Sequence, residues 1–451
     1  MVVRNSELKN LQTIFDNDRN PLVLLYGSCR AEKGQLLKDF CRDKKVFYYR
    51  ARNASKEEQL NLIKAEIEKG FKTTVMSAQY DDCFKRIKSG DASKLVVIID
   101  EFQLIHRKDE SFFNSILKLK AKQLYPGPVM IILTSSSLSY IQAEFLEEKE
   151  ASKFDYQIKL NDVSFLDVVR AFPDFSVKQS VEAYGILGGV PKYLNYWSKK
   201  RTTKENICSL ILNPNGALFN EAENFISTEL RELSVYGTIL ASIARGNEKL
   251  NDLFLDTGYS RAKISVYMKN LAAFDVVEKV ISFETGGWEN AKKGVYRIKN
   301  NYVNFFYRFI YPNLSDLYLM SAEEFYDVHI KDELDAYLRR YFVQVCQEYV
   351  ALMNLMGNVP VKIRKLGTWV GKQGTIDIIG QDDARNTVVG ICNWENDNLS
   401  YEKYEELKES MKQARITATA VYLFSAKSFD PRLAELSEKD SSVILVDMTE
   451  L

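Results

Sequence analysis

The sequence predicts a multidomain α/β protein. The chain has 451 residues, which is too long for one ordinary hydrophobic core. From residue 22 to residue 133, short apolar runs alternate with amphipathic helical segments, a pattern typical of a parallel sheet that helices cover on both faces. Strand signals are absent from about 162 to 230 and return in the C-terminal third, where a second α/β domain is expected.

Each element of the first sheet follows from its local pattern. Strands are predicted where apolar residues run almost without interruption, at Leu22–Tyr26, Lys45–Tyr49, Lys94–Ile99 and Pro128–Leu133. Helices are predicted where apolar residues recur every three or four positions, at Gln35–Arg42, Lys56–Lys69 and Glu110–Gln123. We expect this domain to span residues 1–160.

Four further regions follow along the chain. Residues 161–232 are predicted to form a helical lid. Residues 233–300 carry three helical segments and then a two-stranded wing around Thr285–Gly287, which is the order of a winged helix. Residues 301–345 are predicted to be an aromatic-rich helical connector. Residues 346–451 predict the order helix, strand, strand, strand, helix, strand, helix, strand.

Composition excludes several classes of protein. Hydrophobic residues make up 46% of the chain, which excludes a disordered or low-complexity protein. Basic and acidic residues both number 61, so binding to a polyanion has to come from a local patch. Two histidines, His106 and His329, disfavour multi-histidine metal sites and Ser-His-Asp catalysis. Six cysteines without a Cys-x-x-Cys pair indicate reduced, mostly buried thiols.

Targeting signals are also missing from the pattern. No apolar run approaches the roughly 20 residues that a membrane-spanning helix needs. The first residues lack the apolar core and small-residue cleavage site of a secretory signal. We therefore expect a cytoplasmic protein with no membrane partner.

A candidate phosphate-binding loop lies where the first strand passes into the first helix of the sheet. The frame G-x-x-x-x-G-K-[ST] is matched at Gly27 and Lys33, and Arg30 and Gly34 lie in the same loop. Glu32 replaces the second glycine, which brings a negative charge and a Cβ to a position that favours positive φ. Gly34 replaces the hydroxyl residue that ligates Mg²⁺. Taken alone, the loop is equally compatible with an ordinary strand-to-helix turn.

Acidic and hydroxyl side chains follow two later strands. Asp100 and Glu101 end an apolar strand in the Walker B arrangement, where Asp100 would hold Mg²⁺ through water and Glu101 would polarise the attacking water. The next strand ends in Thr134–Ser137, and Ser135 is the candidate for sensing a γ-phosphate. The alternative is an ordinary strand end with two solvated acids.

The predicted winged helix carries a candidate nucleic-acid contact. Ser260 is expected to cap a helix whose buried stripe is Ile264, Met268 and Leu271. We predict that Arg261, Lys263 and Lys269, on the same helix, contact DNA. Residues 234–299 contain ten basic and seven acidic residues, a balance that permits phosphate contacts without requiring them. Docking of a protein partner is the alternative.

These motifs together resemble the archaeal-type P-loop ATPases of the AAA+/STAND group. The motifs that carry the resemblance are Arg4-x-x-Glu7-Leu8, the loop Tyr26–Gly34, Asp100-Glu101-Phe102-Gln103, the lid box Gly188–Leu194 and the stretch Gly216–Phe219. The resemblance covers nearly the whole chain. It implies ATP or ADP and Mg²⁺ as cofactors, and a lid that brings Pro191 to the nucleotide.

The resemblance also implies a C-terminal PD-(D/E)xK nuclease-like domain with a restriction-endonuclease-like α/β fold. Of that pattern, Glu348 and Asp377 are kept, while Ile391 stands for a metal-binding carboxylate and Asn393 for the catalytic lysine. We therefore predict a degenerate nuclease site without activity. Glu395 is the acid on the same strand that could replace the missing ligand.

The sequence therefore predicts a nucleotide-binding protein with weak or no hydrolysis, in which metal use is also weak or absent. Its predicted winged helix would contact duplex DNA or a protein partner. Two alternatives stay open. One is a working DNA-linked ATPase that tolerates the altered loop, and the other is an interaction scaffold that binds no ligand.

Overall fold

The structure is a computed structural model in which the chain divides into two units. We describe each unit by itself. The model describes residues 4–16, 20–77, 79–88, 93–146, 151–283, 294–371, 374–394 and 397–451. The first unit contains the described residues from Arg4 to Asp162 together with Val190–Lys192. The second contains Val163–Gly189 and the described residues from Tyr193 to Leu451.

A five-stranded parallel sheet forms the centre of the first unit's described residues. Its strands are β1 (Leu22–Tyr26), β2 (Lys45–Arg50), β3 (Leu95–Asp100), β4 (Val129–Ser135) and β5 (Tyr156–Lys159). They lie in the order β2-β3-β4-β1-β5. The helices are α1 (Asn5–Asp16), α2 (Lys33–Phe40), α3 (Lys56–Phe71), α4 (Tyr80–Phe84), α5 (Gln103–His106), α6 (Ser111–Lys120) and α7 (Leu138–Phe145).

Helices cover both faces of this sheet, as the uninterrupted apolar strands predict. Alternate residues of β1, β3 and β4 point to opposite faces. On one face they pack against α1 and α2, through Leu11, Ile14, Leu36, Leu37 and Phe40. On the other they pack against α3 and α6, through Ile63, Ile67, Phe112 and Ile116. Every residue of β1, β3 and β4 is buried, so these three strands form a rigid base.

Strand order decides which loops meet. Because β4 lies between β3 and β1 and all three run parallel, their carboxyl ends share one edge of the sheet. That edge carries the loop after Tyr26, the acids Asp100 and Glu101, and the hydroxyl run that ends β4. The candidate loop and the candidate acids are thus brought together, as is usual for ligand sites of α/β sheets.

Two features of the first unit differ from the predicted elements. The helix expected to begin at Gln35 begins at Lys33, so the loop lysine is its first residue. The edge strand β5 was not predicted, because its sequence Tyr-Gln-Ile-Lys is short and has only one fully buried residue, Ile158. The pairing of β5 with β1 closes the sheet beside the loop.

The second unit begins with the predicted helical segment. Its helices are α8 (Phe165–Ala171), α9 (Val177–Leu187), α10 (Pro191–Leu194, which starts in the first unit), α11 (Thr203–Ile207), a π-helix (Cys208–Leu212) and α12 (Glu221–Ser227). No strand forms in residues 163–230, all of which are described. Gly188 ends α9 with φ of 68°, and a Cβ on Gly189 would lie 1.9 Å from the Val163 carbonyl oxygen, so both positions require glycine.

Three helices and an antiparallel pair of strands follow. They are α13 (Leu233–Ala244), α14 (Leu250–Thr257), α15 (Arg261–Ala273), β6 (Val277–Val280) and β7 (Val295–Ile298). Ser260 caps α15 by accepting from the Lys263 N–H at 3.2 Å, as predicted. The predicted stripe of Ile264, Met268 and Leu271 is buried. The predicted turn at Thr285–Gly287 lies outside the described residues.

Helices continue to residue 356 before a second sheet begins. They are α16 (Asn301–Phe305), a π-helix (Phe306–Ile310), a 3₁₀ turn (Tyr311–Asn313), α17 (Leu314–Leu319), α18 (Ala322–His329) and α19 (Leu334–Met356). Residue 346, the predicted start of the last domain, lies within α19. Among the described residues no helix, α19 included, is apolar enough over a sufficient length to cross a membrane.

The C-terminal sheet has the predicted order of elements. It contains β8 (Lys365–Val370), β9 (Thr375–Gln381), β10 (Thr387–Asn393), α20 (Tyr401–Ala414), β11 (Ala420–Ser425), α21 (Pro431–Lys439) and β12 (Val443–Asp447), and a 3₁₀ turn ends the chain (Met448–Glu450). The strand order is β12-β11-β10-β9-β8. β8, β9 and β10 are antiparallel, and β10, β11 and β12 are parallel.

Alanine substitutions at two glycines of the candidate phosphate loop are expected to have opposite effects on stability. A Cβ on Gly27 would lie 2.7 Å from the Leu160 carbonyl oxygen, whereas nothing lies within 4 Å of a Cβ on the helical Gly34. We expect Gly27→Ala to lower the free energy of unfolding by about 1 to 3 kcal/mol, because backbone must move. Gly34→Ala should raise it by up to about 1 kcal/mol, because alanine favours helix. Chemical denaturation of both variants measures the difference, and equal effects would contradict the close packing at Gly27.

Candidate nucleotide-binding site

The loop between β1 and α2 is fixed at both ends. The Gly27 N–H donates to the Ser135 carbonyl at the end of β4, at 3.3 Å. At the other end, Arg4 Nε donates to the Ala31 carbonyl at 3.1 Å and Arg4 Nη2 donates to the Asn161 carbonyl at 2.8 Å. Arg4 also pairs with Glu7 at 2.8 Å and is 7% exposed. The Arg-x-x-Glu motif thus fastens the loop to the sheet, a role that the sequence did not indicate.

Lys33 is folded back onto the loop. Its Nζ donates to the Gly27 carbonyl at 2.8 Å and to the Ser28 carbonyl at 3.1 Å. The residue is 6% exposed, and this burial lowers the pKa of Lys33, while Glu101 and Asp100 oppose the shift. The ammonium group therefore lies within the loop, at the position from which it could turn to a phosphate.

Glu32 adopts the backbone conformation that the motif normally reserves for glycine. Its φ is 54° and its ψ is 43°, which is the left-handed region. A residue with a Cβ in this region costs roughly 1 to 2 kcal/mol. The strain predicted from the missing glycine is therefore present at this position.

Asp100 has hydrogen-bond partners on both of its oxygens. Oδ1 accepts from the Thr134 hydroxyl, and Oδ2 accepts from the Tyr48 hydroxyl at 2.7 Å. Arg50 Nε lies 3.5 Å from the same Oδ2. Burial and the hydrogen bond to Asp100 raise the pKa of Tyr48, so the phenol remains a donor. Tyr48 and Arg50 lie on β2 beside β3, and sequence reasoning did not select either.

Glu101 is held by the neighbouring strand. Its Oε2 accepts from the Ser136 N–H at 3.0 Å, from the Ser136 hydroxyl at 2.7 Å and from Gln103 Nε2 at 2.7 Å. Its backbone has φ of 57°, again in the left-handed region. Charged acceptors with several donors are firmly oriented, so the position of this carboxylate is well defined.

Comparison with known families agrees with this arrangement. Residues 1–197 match the model of an ATPase domain found predominantly in Archaea. Residues 1–197 are therefore similar in sequence to archaeal ATPase domains. The resemblance drawn from the sequence motifs is thereby confirmed for this part of the chain. Residues 306–409 match a second family, described as archaeal and bacterial proteins of unknown function.

Individual relatives span most of the chain. An uncharacterized protein of Methanocaldococcus jannaschii is 26% identical over 387 residues, which are 85% of this chain and 84% of that protein. The Walker-type ATPase of Pyrococcus abyssi is similar in structure, with 17% identity, a TM-score of 0.48 and coverage of 68% of this chain and 96% of its own. The ORC2 protein of Aeropyrum pernix has 12% identity, a TM-score of 0.45 and coverage of 70% and 94%.

The other predicted nucleotide residues of the ATPase domain occupy different environments. Arg30 is 8% exposed and its Nη1 contacts the Cys29 sulfur. Ser135 is fully buried, and its hydroxyl accepts from the Ser137 N–H at 3.1 Å. Pro191 begins α10 and is assigned to the first unit. Ser136, which the sequence did not single out, supplies a hydroxyl that donates to Glu101.

The loop region of the first unit offers more groups for the phosphates of a nucleotide than for a magnesium ion. In folds of this kind phosphate is bound by the backbone of the loop that begins at Gly27, by Lys33 and by the N-terminus of α2. Magnesium requires nearly octahedral oxygen ligands. Gly34 offers no side-chain oxygen, and both oxygens of Asp100 already accept hydrogen bonds. Among the described residues, no three His, Cys, Asp or Glu side chains are grouped to hold a metal.

The three predicted DNA-contacting residues lie along α15. Arg261 stacks on Phe254, with 4.2 Å between the guanidinium carbon and the ring centroid. Lys263 Nζ lies 4.4 Å from the ring centroid of Tyr259. Arg261 and Lys269 are exposed, and Lys263 is half-buried. Two of the three basic residues, Arg261 and Lys263, thus lie against aromatic rings.

The four predicted residues of the degenerate nuclease site have separate structural contacts. Glu348 accepts from the Phe165 N–H and the Tyr184 hydroxyl, both at 2.8 Å. Asp377 accepts from the Cys392 N–H at 2.9 Å and lies 3.6 Å from Arg339. Burial raises the pKa of both carboxyls. The partners of Glu348 lie on α8 and α9, so this acid holds those helices to α19.

The positions that would complete a metal site carry other chemistry. Asn393 donates to the Asp397 carbonyl and accepts from Lys403 Nζ, each at 2.8 Å. Ile391 packs partly buried in the apolar cluster of the C-terminal sheet. Glu395 lies outside the described residues. Arg339 and Lys403 are charged neighbours of Asp377. Their positive charges stabilise the ionised carboxylate, as a bound metal ion would.

Glu348 generates a prediction for stability. Glu348→Ala should lower the free energy of unfolding by about 2 kcal/mol or more, because a buried N–H and hydroxyl lose their acceptor. Tyr184→Phe removes one of the two hydrogen bonds and should cost about 1 kcal/mol. Denaturant melts of both variants provide the measurement. An alanine variant as stable as the parent would show that Glu348 does not hold α8 and α9.

The same residue predicts a pH dependence. Burial raises the pKa of the Glu348 carboxyl in the folded protein. At a pH above the unfolded pKa of about 4.3, the unfolded chain therefore loses this proton while the folded protein still keeps it. Stability then falls as pH rises from that value through the raised pKa. Glu348→Gln, which cannot titrate, should lack this component, and the difference between parent and variant melts across that pH range measures it.

Proposed function

We propose that this chain binds a nucleotide through its ATPase domain and hydrolyses it slowly or not at all. The observation that carries the proposal is the position of Lys33, on a strand-to-helix loop beside Asp100 and Glu101, in a loop that has lost its second glycine and its metal-ligating hydroxyl. The first feature supports binding. The second argues against rapid turnover.

Binding is supported by the charges of the loop. The Lys33 ammonium group lies at the loop carbonyls, so a change of side-chain conformation would bring it to a phosphate bound in the loop. Arg30 is a second cation in the same loop. The first turn of α2 directs backbone N–H groups and the positive end of its dipole toward the loop. Together these groups favour a di- or triphosphate anion over a neutral ligand.

Slow hydrolysis is supported by the position of Glu101. Its Oε2 accepts from two groups of Ser136 and from Gln103, so three protein donors compete with a water molecule for this oxygen. A general base has to lie within hydrogen-bond reach of the water that it activates. Glu32 also places a negative charge beside the site of the phosphates.

The two other functions have specific support. A working ATPase is favoured by the retention of both acids, Asp100 and Glu101, at the end of β3. A scaffold without a ligand is favoured by the hydrogen bonds of Lys33 to the Gly27 and Ser28 carbonyls, which satisfy the lysine internally. The following measurements separate the three.

Titration of the full chain with ADP and ATP tests the proposal directly. We expect weak but saturable binding, and we expect Lys33→Ala to weaken it at least about tenfold, which corresponds to one lost phosphate contact of about 1.4 kcal/mol. Lys38→Ala, a change on the same helix away from the loop, is the matched control. Calorimetry without detectable heat at high nucleotide concentration would favour the scaffold.

Repair of the loop should increase hydrolysis. The double variant Glu32→Gly with Gly34→Thr removes a carboxylate from beside the phosphates and restores a metal-ligating hydroxyl, and a Cβ at position 34 meets nothing within 4 Å. We expect at least about a tenfold rise in Mg²⁺-dependent phosphate release. Lys72→Gly, which relieves the same left-handed strain far from the loop in sequence, controls for stability. A parent rate of about 1 s⁻¹ or more would favour the working ATPase.

We further propose that the region from residue 233 to 300 couples the nucleotide to duplex DNA or to a protein partner. The support is the basic balance of this region and the ordered cations of α15. We do not expect the chain to cleave nucleic acid, because Ile391 and Asn393 supply neither a carboxylate nor a lysine.

The DNA branch of the proposal predicts a salt dependence. Replacing Arg261, Lys263 and Lys269 with glutamate should abolish duplex binding, because each contact with a phosphate releases counterions. Fluorescence anisotropy with labelled duplex at several salt concentrations measures both affinity and slope. Single substitution of Lys249, which lies before α14, is the control. Unchanged affinity and slope in the triple variant would favour the protein partner.

A further inference from the structure

We infer that the ATPase domain holds its nucleotide without a divalent metal ion, and that Arg50 supplies the positive charge that the metal would bring. The ligand is then a metal-free nucleoside diphosphate, bound at least as tightly as the triphosphate. This inference rests on the proposed nucleotide binding. It adds the chemical form of the ligand and assigns a function to a residue outside the recognised motifs.

Asp100, the acid that would hold the metal, already has protein partners on both of its oxygens. The Thr134 hydroxyl binds one of its oxygens, and the Tyr48 hydroxyl binds the other at 2.7 Å. The Arg50 guanidinium lies 3.5 Å from that second oxygen. A hydrated Mg²⁺ held through water would have to displace the arginine and compete with two hydroxyl donors for the same carboxylate oxygens.

The helix side of the site offers no compensating ligand. In a loop of this kind the residue after the lysine places a hydroxyl oxygen on the metal. Here that residue is Gly34, and no atom lies within 4 Å of the space where its Cβ would be. Both protein contributions to a magnesium site are therefore altered in the same direction. Position 34 has lost its metal-ligating hydroxyl, and the remaining ligand, Asp100, has Arg50 beside it.

Arg50 is placed to serve as the replacement cation. It ends β2 and is directly paired with Asp100 in the parallel register of β2 and β3. Its side chain is 70% exposed, although its Nε approaches a buried carboxylate. A guanidinium has five N–H donors in a planar fork, so a contact through Nε is compatible with a bidentate contact of the terminal nitrogens with a phosphate. Arginine also keeps its charge at all relevant pH values.

The charge balance favours the diphosphate. Lys33 and Arg30 on the loop and Arg50 at the end of β2 supply three positive charges, and Glu32, Glu101 and Asp100 oppose them with three negative charges. A γ-phosphate adds charge on the side of Glu101 without a metal to screen it. The shorter anion, which carries less negative charge, should therefore bind at least as well as ATP.

Calorimetric titration of the full chain with ADP and with ATP, each in excess Mg²⁺ and in excess EDTA, tests the inference. We expect ADP to bind in EDTA at least as tightly as in excess Mg²⁺, because Mg²⁺ complexes part of the free ADP, and we expect the Kd for ATP in EDTA to be no lower than that for ADP. Binding that requires Mg²⁺ would overturn the inference and leave the proposed function intact. Absence of binding in all four titrations would instead refute the proposed function.

A variant of Arg50 tests the assignment of the cation. Arg50→Gln should weaken ADP about tenfold in EDTA, because Asp100 is left without its counter-charge. Excess Mg²⁺ should then recover part of the loss, so that a metal dependence absent from the parent appears. Arg52→Gln, an exposed arginine two residues further on, is the matched control and should leave both values unchanged. Equal behaviour of the two variants would remove Arg50 from the site.

Discussion

The burial of β1, β3 and β4 on both faces is the constraint on which the functional half of this protein depends. Three fully apolar strands can lie side by side only when helices cover both faces, and parallel pairing then aligns their carboxyl ends. The loop after β1, the acids after β3 and the hydroxyls after β4 meet for that reason. None of these polar segments needs a long-range contact of its own to find the others. Arg4 adds a further attachment of the loop, to the Ala31 and Asn161 carbonyls.

Much of this arrangement could be predicted from the sequence, because uninterrupted apolar runs and a glycine-lysine loop are strong local signals. The strands at Leu22 and Leu95, the acids Asp100 and Glu101, and the cap at Ser260 all depend on neighbours within a few residues. The left-handed conformation of Glu32 was foreseeable in the same way, from the missing glycine alone.

Other features could not be predicted, because they depend on which strands lie side by side. Tyr48 and Arg50 read as residues of an ordinary half-exposed strand until β2 is placed next to β3. Ser136, rather than Ser135, reaches Glu101 because of the turn that ends β4. Glu348 has the right position for a catalytic acid in the sequence, yet its partners are 183 and 164 residues away in helices that no local pattern connects to it.

The inward position of Lys33 has a kinetic consequence. Its ammonium group is already bound to two carbonyls of its own loop, so these carbonyls act as an internal competitor for any phosphate. The apparent affinity is then the intrinsic affinity reduced by the fraction of molecules in which the lysine has turned outward. The rate of ligand association would be lowered by the same fraction, because only those molecules can receive a phosphate. A loop that stores its own cation in this way discriminates against weak anions, because only a ligand with several phosphate oxygens can repay the two lost hydrogen bonds.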